Sequence, residues 1–378
     1  MEQKPSNSSF NIKNGLISTK SIYSITRHLS RGDISGIHSN VLTRTADLQS
    51  SIIHDQKLCR NDFRISEFLG KGFFGMVYKG EIYNKSTTGS KICVAIKTTS
   101  GDVTQPTLNS FSVEIDILQT IGFHYNLVNM YGYKDNISQH LGAWIVLEYC
   151  NEKDLLQFLS RNRTNIINSF QTPSNNNKLI HDRMLITLTF DIASGMEHLA
   201  RKQIMHGDLA ARNILISSDS NRLVAKVSDF GLSKHLTEKT YRGKTCNYVP
   251  LKWMAFEYLH EEVFTLKSDV WSYGVVIWEI FSLGEEPYQN INDFEILFEE
   301  ISKGNYLKAP KTIHSIKSWP AEEVYNDLAL MCFTKDPEDR FNFSDILKYL
   351  RKIMTEKELN KYEEDRNLYH ELYRNIKL

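Results

Sequence analysis

The chain has 378 residues, with 45 basic against 45 acidic side chains and a hydrophobic fraction of 41%. That length suits one large two-lobed domain with tails or two small domains, and the apolar content is enough for a real core. Balanced charge gives no reason to expect nucleic acid as a partner, and five scattered cysteines (Cys59, Cys93, Cys150, Cys246, Cys332) without a CxxC pair read as a reduced, intracellular protein.

Residues 1–60 are polar and weakly patterned, and are expected to be mostly disordered. Their Ser/Thr-rich, sparsely basic character faintly resembles a transit peptide, against which Glu2 and Asp33 count, and no signal peptide is seen. Residues 63–69 alternate as a strand, and Val94-Ala95-Ile96-Lys97 reads as another. Residues 112–121 place Val113, Ile117, Leu118 and Ile121 at helical spacing. Residues 144–147 read as a buried strand running into a hinge at 148–151. Residues 161–178, rich in Asn, Thr and Ser and containing Pro173, read as a solvated insertion between two helices. From Leu185 onward the pattern is mainly helical. The most apolar stretch there, 274–281, contains Glu279 and is far too short to span a membrane. The tail from 351 is charge-rich and is expected to end as an exposed helix with a solvated face.

Several motifs carry chemistry. In the GxGxxG loop, Gly70, Gly72 and Gly75 let backbone amides approach phosphate oxygens. Dinucleotide folds use the same spacing, but there the loop opens a helix, whereas here a second strand follows. Lys97 on a buried strand needs an acid, because an unpaired ammonium in a core is expensive, and Glu114 on the next helix can supply it. In His206-Gly207-Asp208-Leu209-Ala210-Ala211-Arg212-Asn213, an acid able to take a proton stands five positions before an amide able to hold a metal, and Asp229-Phe230-Gly231 follows. Asn213 and Asp229 are hard oxygen donors suited to Mg²⁺. Taken singly, Asp208 could be a turn residue and Asp229 a helix cap. Both at this spacing and in this order point to a reaction centre.

This order of parts resembles the protein-kinase set, and Ala210 and Arg212, with Val249-Pro250-Leu251-Lys252-Trp253-Met254, resemble its tyrosine-specific branch. The resemblance runs from about 63 to about 353. It implies an α+β, two-lobed protein kinase fold: a small antiparallel β-sheet lobe with one key helix, and a larger, mainly α-helical lobe. It implies ATP and Mg²⁺ as cofactors and transfer of the γ-phosphate to tyrosine hydroxyls of protein substrates. The catalytic residues would be Asp208 as base, Lys97 paired with Glu114, and Arg212 in support. Nucleotide would be held by Leu69, Gly70, Gly72, Gly75, Val77, Ala95, Lys97, Leu215 and the backbone of Glu148 and Cys150, and metal by Asn213 and Asp229. Leu147 would be the gatekeeper. Leu118, His206 and Phe230 would stack as a spine, Asp269 would anchor the catalytic loop, and Glu257 with Arg340 would form a buried ion pair.

The implied layout is a head over 1–60, disordered or juxtamembrane-like, a kinase domain over 61–355 and a charged helical tail over 356–378. Within the domain the small lobe covers 61–148 and the large lobe 151–355, with a polar insert at about 161–180 where receptor kinases carry one. With no membrane span, the expected place is the cytoplasm or the cytoplasmic face of the plasma membrane. Tyr23, Tyr369 and Tyr373 are candidate docking sites for phosphotyrosine-reading adaptors. Four positions depart from the pattern: Gly207 replaces an arginine that meets the activation-loop phosphate expected at Tyr241, leaving Lys234 and Arg242 to compensate, while Phe256, Phe341 and Lys153 replace Pro, Pro and Gly. The competing reading is a catalytically weak pseudokinase scaffold that binds ATP and partners. A Ser/Thr kinase is disfavoured by Ala210, Arg212 and Pro250.

Overall fold

A computed structural model describes residues 57–59, 62–71, 75–83, 91–99, 105–134, 143–171, 183–220, 222–236, 240–242, 250–316 and 320–374. Five strands, β1 (Phe63–Lys71), β2 (Met76–Tyr83), β3 (Lys91–Thr98), β4 (Met130–Lys134) and β5 (Trp144–Glu148), form one antiparallel sheet in the order β1-β2-β3-β5-β4. Opposed residues share a face, so the register decides which side chains line the cleft. Val77 opposes Lys97, and Ala95 opposes Leu147. All four therefore lie on one face. The other face buries Phe63, Ile82, Val94, Ile96, Tyr131 and Val146 as the small-lobe core. The helix α1 (Gln105–Ile121) buries Phe111, Ile117, Leu118 and Ile121, starting seven residues before the expected segment.

Beyond the hinge the protein is helical: α2 (Leu155–Gln171), α3 (Met184–Arg201), α4 (Phe256–Glu261), α5 (Leu266–Phe281), α6 (Phe294–Ser302), α7 (Ala321–Cys332), α8 (Phe343–Ile353) and α9 (Glu356–Arg374). Six further strands are described: β6 (Ile204–Met205), β7 (Ile214–Ser220), β8 (Arg222–Val227), β9 (Lys234–His235), β10 (Tyr241–Arg242) and β11 (Val263–Phe264). The central α5 starts at a full capping box. The Thr265 hydroxyl accepts from the Ser268 amide, and the Ser268 hydroxyl accepts from the Thr265 amide. Its buried face packs Val276, Ile277 and Ile280 into the main core and Trp271 and Val275 into a second cluster with Leu297 and Phe333. The two-lobed fold expected from the motifs is thus present.

Two expectations need correction. The segment read as a solvated insertion is helical as far as Gln171, with Ile166 and Phe170 buried. Leu155, Phe158, Leu159, Ile166 and Phe170 share a helical face, and that periodicity outweighs the polar residues between them. Residues 172–182, most of the head including Tyr23, and Cys246 lie outside the described residues. The tail helix α9 keeps a solvated face, with Lys357, Glu364 and Glu371 exposed, but it is not a free exposed helix, because its opposite face packs on the domain. Tyr362 and Asp365 are buried, and the Tyr362 hydroxyl donates to Asn126 Oδ1 (2.8 Å). The Tyr373 hydroxyl donates to the Met130 carbonyl (2.9 Å), and Phe123 lies against the rings of Tyr369 and Tyr373. The Tyr369 and Tyr373 hydroxyls proposed for docking therefore face inward.

Candidate active site

The sheet, α1 and the loops after β6 and β8 bring the predicted residues together. Lys97 is 6% exposed, and its Nζ lies 2.6 Å and 2.8 Å from the two carboxylate oxygens of Glu114 on α1. It also donates to Asp229 Oδ1 at 3.2 Å. Burial disfavours the ammonium, yet the two carboxylates outweigh it and hold Lys97 above the ordinary lysine range. Partial burial opposes ionisation of Asp229, though its side chain is still more than a third exposed, and the Lys97 charge more than offsets it, so Asp229 stays below the usual carboxylate range. Asp229 sits at φ +60°, a left-handed conformation uncommon for a side-chain-bearing residue.

Asp208 is held from two sides. Arg212 Nη2 donates to its Oδ1 (2.6 Å), and Asn213 Nδ2 donates to its Oδ2 (2.8 Å) and its carbonyl (2.7 Å). Asn213 thereby keeps its amide oxygen as the acceptor. Upstream, Asp269 on α5 accepts the amides of His206 (2.7 Å) and Gly207 (3.0 Å), which fixes the loop from beneath. Burial pushes its carboxyl up, with those hydrogen bonds acting against it. The His206 ring lies 5.5 Å from that of Phe230, and Leu118 shares their core. Arg340 makes two 3.0 Å hydrogen bonds to Glu257, with its side chain fully buried.

Around this polar centre, Val77, Ala95, Leu147 and Leu215 are partly exposed apolar residues, and Leu69 at the end of β1 is exposed. They suit one flat apolar ring. A Cβ at Gly75 would collide with the Thr98 carbonyl, so glycine is required where the loop meets β3; Gly70 lies in β1, and Gly72 falls outside the described residues. The Glu148 amide donates to the Asn129 carbonyl (2.9 Å), so that N–H cannot serve a nucleotide base; Cys150 is buried in the hinge.

The donor chemistry fits a nucleotide-bound dication. Among the described residues no three His, Cys, Asp or Glu side chains converge as a metal cage. The Asn213 amide and Asp229 carboxylate would supply two hard oxygens and leave the remaining positions to phosphates and water, as Mg²⁺ prefers.

Two of the four departures, Gly207 and Phe256, have local causes, and nothing in the structure explains Phe341. Gly207 sits at φ +77°, and an added Cβ would meet the Leu232 carbonyl at 3.1 Å. Lys153 is left-handed at φ +66°, a conformation that favours glycine. Phe256 begins α4 and stacks on His260 and Phe298. Lys234 Nζ stands 3.8 Å from the centre of the Tyr241 ring.

The sequence reading missed two groups of residues. Glu279 Oε2 accepts from both Trp253 Nε1 (2.9 Å) and the Ala211 amide (2.9 Å), while Arg212 lies over the Trp253 ring at 4.7 Å. Behind the hinge, Lys226 pairs with Glu148 (3.0 Å), which also accepts from Asn129 (3.0 Å) and the Tyr369 hydroxyl. An acid in the apolar run 274–281 was the only available signal for the first group.

Residues 63–350 match the family model described as protein tyrosine and serine/threonine kinase. A fibroblast growth factor receptor of Halocynthia roretzi is 31% identical over 320 residues, covering 81% of this chain and 40% of that protein. Fibroblast growth factor receptor homolog 1 of Drosophila melanogaster is 33% identical over 310 residues, covering 80% and 39%. The angiopoietin-1 receptor of Danio rerio is 33% identical over 299 residues, covering 79% and 25%. The chain thus spans at most two-fifths of the length of these relatives. No helix among the described residues is long and apolar enough to cross a membrane.

Proposed function

The chain belongs to the protein tyrosine and serine/threonine kinase family, and on that premise we propose that it transfers the γ-phosphate of ATP to tyrosine hydroxyls of proteins. One observation carries the reading. Asp208 is fixed by Arg212 and Asn213, and Lys97 is paired with Glu114 and Asp229. A scaffold without catalysis has no need of a complete set held in this order.

In this reading Asp208 orients the tyrosyl hydroxyl and accepts its proton. The tyrosyl oxygen forms a bond to the γ-phosphorus as the bond to the β-phosphate oxygen breaks. Lys97 grips the α- and β-phosphates, kept charged and in place by Glu114. Asn213 and Asp229 would hold Mg²⁺, which when bound neutralises phosphate charge. Arg212 keeps the Asp208 carboxylate aimed. The apolar face of Val77, Ala95 and Leu147, with Leu215, takes the adenine. Tyrosine-containing signalling proteins would be the substrates.

Activation would depend only weakly on Tyr241. Its phosphate would meet Lys234, a point charge, without the guanidinium fork that Gly207 lacks. Tyr241→Phe should keep activity within a few-fold of wild type in a phosphotransfer assay; loss of all activity would refute this.

Radiolabelled transfer to a mixed Glu/Tyr polymer, with Asp208→Asn as control, tests the main reading. Label on tyrosine that vanishes in the control supports it. Nucleotide binding without any transfer would favour the scaffold.

A further inference from the structure

Glu279 is 1% exposed, and both groups that hydrogen-bond to its Oε2 are neutral: the Trp253 indole and the Ala211 amide. Burial pushes its carboxyl up to about 7, with those two bonds and the Arg212 charge acting against the rise. A carboxyl in such a place is expensive, and an apolar side chain would pack there without that cost.

The geometry of its partners suggests why it is there. Trp253 belongs to the turn Leu251–Trp253, directly after Pro250. Its backbone carbonyl accepts from Ser272 Oγ (2.8 Å), and its ring lies under the Arg212 guanidinium. Arg212 in turn donates to Asp208. Ala211 is the residue before Arg212. One carboxylate oxygen therefore ties the turn on the acceptor side to the loop that carries the base, and the circuit Asp208–Arg212–Trp253–Glu279–Ala211 closes on itself.

We propose that Glu279 is a positioning residue for the tyrosyl acceptor: it locks Trp253 beneath Arg212 and so sets the aim of Asp208. This rests on the tyrosine-kinase reading above. The nucleotide side, built on Lys97, Glu114 and Asp229, has no part in the circuit. Loss of Glu279 should therefore act on the acceptor and spare ATP.

The test is steady-state kinetics on a tyrosine peptide, varying peptide and ATP separately, for Glu279→Leu, Glu279→Gln, Trp253→Phe and the Gln/Phe double variant. For Glu279→Leu, kcat/KM for peptide should fall about ten- to a hundred-fold while KM for ATP stays at the wild-type value. Glu279→Gln, which keeps an acceptor oxygen, should recover most of the loss. If Glu279→Leu does not fold, the other three decide. Trp253→Phe keeps the ring but removes the indole N–H, so adding Glu279→Gln to it should cost less than Glu279→Gln costs alone. Strict additivity, a parallel rise in KM for ATP, or wild-type peptide kinetics throughout would overturn the proposal. If the wild-type protein itself transfers nothing to tyrosine, the kinase reading fails and takes this inference with it.

Discussion

Two lysines among the described residues are buried, each on a β-strand and each against a glutamate. Lys97 lies 2.6 Å from Glu114, and Lys226 lies 3.0 Å from Glu148. They differ in what surrounds the pair. Lys97 also reaches Asp229, whose side chain is more than a third exposed and belongs to the site. Lys226 donates to the Tyr125 carbonyl (2.6 Å), lies under the Tyr369 ring at 4.0 Å and shares Glu148 with Asn129 and Tyr369. The first pair opens on a cleft where phosphates can become a third partner. The second is closed on every side described by protein groups, part of them from the tail helix. On the proposed reading, the same residue types thus serve as a binding cation in one place and as a structural tie in the other, and what fills the remaining coordination decides which.

The largest expected effect sharpens this contrast through stability. Lys226→Met leaves Glu148 buried beside the Tyr369 ring without its cation, which should cost about 3–5 kcal/mol by chemical denaturation. The surviving protein should keep its KM for ATP. A loss below 1 kcal/mol, or a KM for ATP that rises as much as in a Lys97 variant, would erase the distinction.

Lys97→Met is the counterpart. Removing the phosphate cation should lower phosphotransfer by about 10²–10³-fold, since a preset charge at a developing negative centre is worth that much. Its stability cost should be of the same order, because it strands the buried Glu114 carboxylate as Lys226→Met strands Glu148; only Asp229 can turn toward solvent. Equal transfer by both lysine variants would refute the assignment.

A third buried acid extends the comparison, because Glu279 has no cation bonded to it. Its pKa is raised from 4.5 to about 7 by burial. Between those values the folded protein holds a proton that the unfolded chain has lost. Stability contributed by this group is therefore highest below about pH 4.5 and falls as pH rises toward 7, by up to about 3 kcal/mol. Glu279→Gln removes that slope. Denaturation midpoints at pH 5 to 8 should show the variant gaining on the wild type as pH rises; a constant difference would place the pKa elsewhere.

How much of this was legible in the sequence follows the same division. Lys97, Asp208, Asn213 and Asp229 each sit in a short local motif, so they could be nominated as site candidates without coordinates. Lys226 has no such motif: in Leu223-Val224-Ala225-Lys226-Val227 it is one lysine in a short strand, and its partner Glu148 is far away in the chain. The link between Glu279 and Trp253 escaped for the same reason, since it exists only once α5 crosses beneath the loop. The tail misled through composition. Tyr362, Tyr369 and Tyr373 recur at helical spacing on one face, but charged residues between them mask the stripe, and tyrosine can bury a ring while its hydroxyl finds a polar partner. The helix through Arg161–Gln171 was hidden likewise by Asn and Ser around Ile166 and Phe170.

The smallest effect probes that tail. Tyr369→Phe removes one hydroxyl, which donates to Glu148 and meets Asn129 Nδ2 at 3.1 Å. The ring stays, with its stack on Phe123 and its place under Lys226. Glu148 also keeps Lys226 and Asn129, so no buried charge is stranded. The loss should be about 1–2 kcal/mol, well below that of Lys226→Met. Combined with Lys226→Met, the second change should cost less than it does alone, because both act through Glu148. Additive losses would mean that α9 merely rests on the hinge and that Tyr369 is not part of the charge pair it covers.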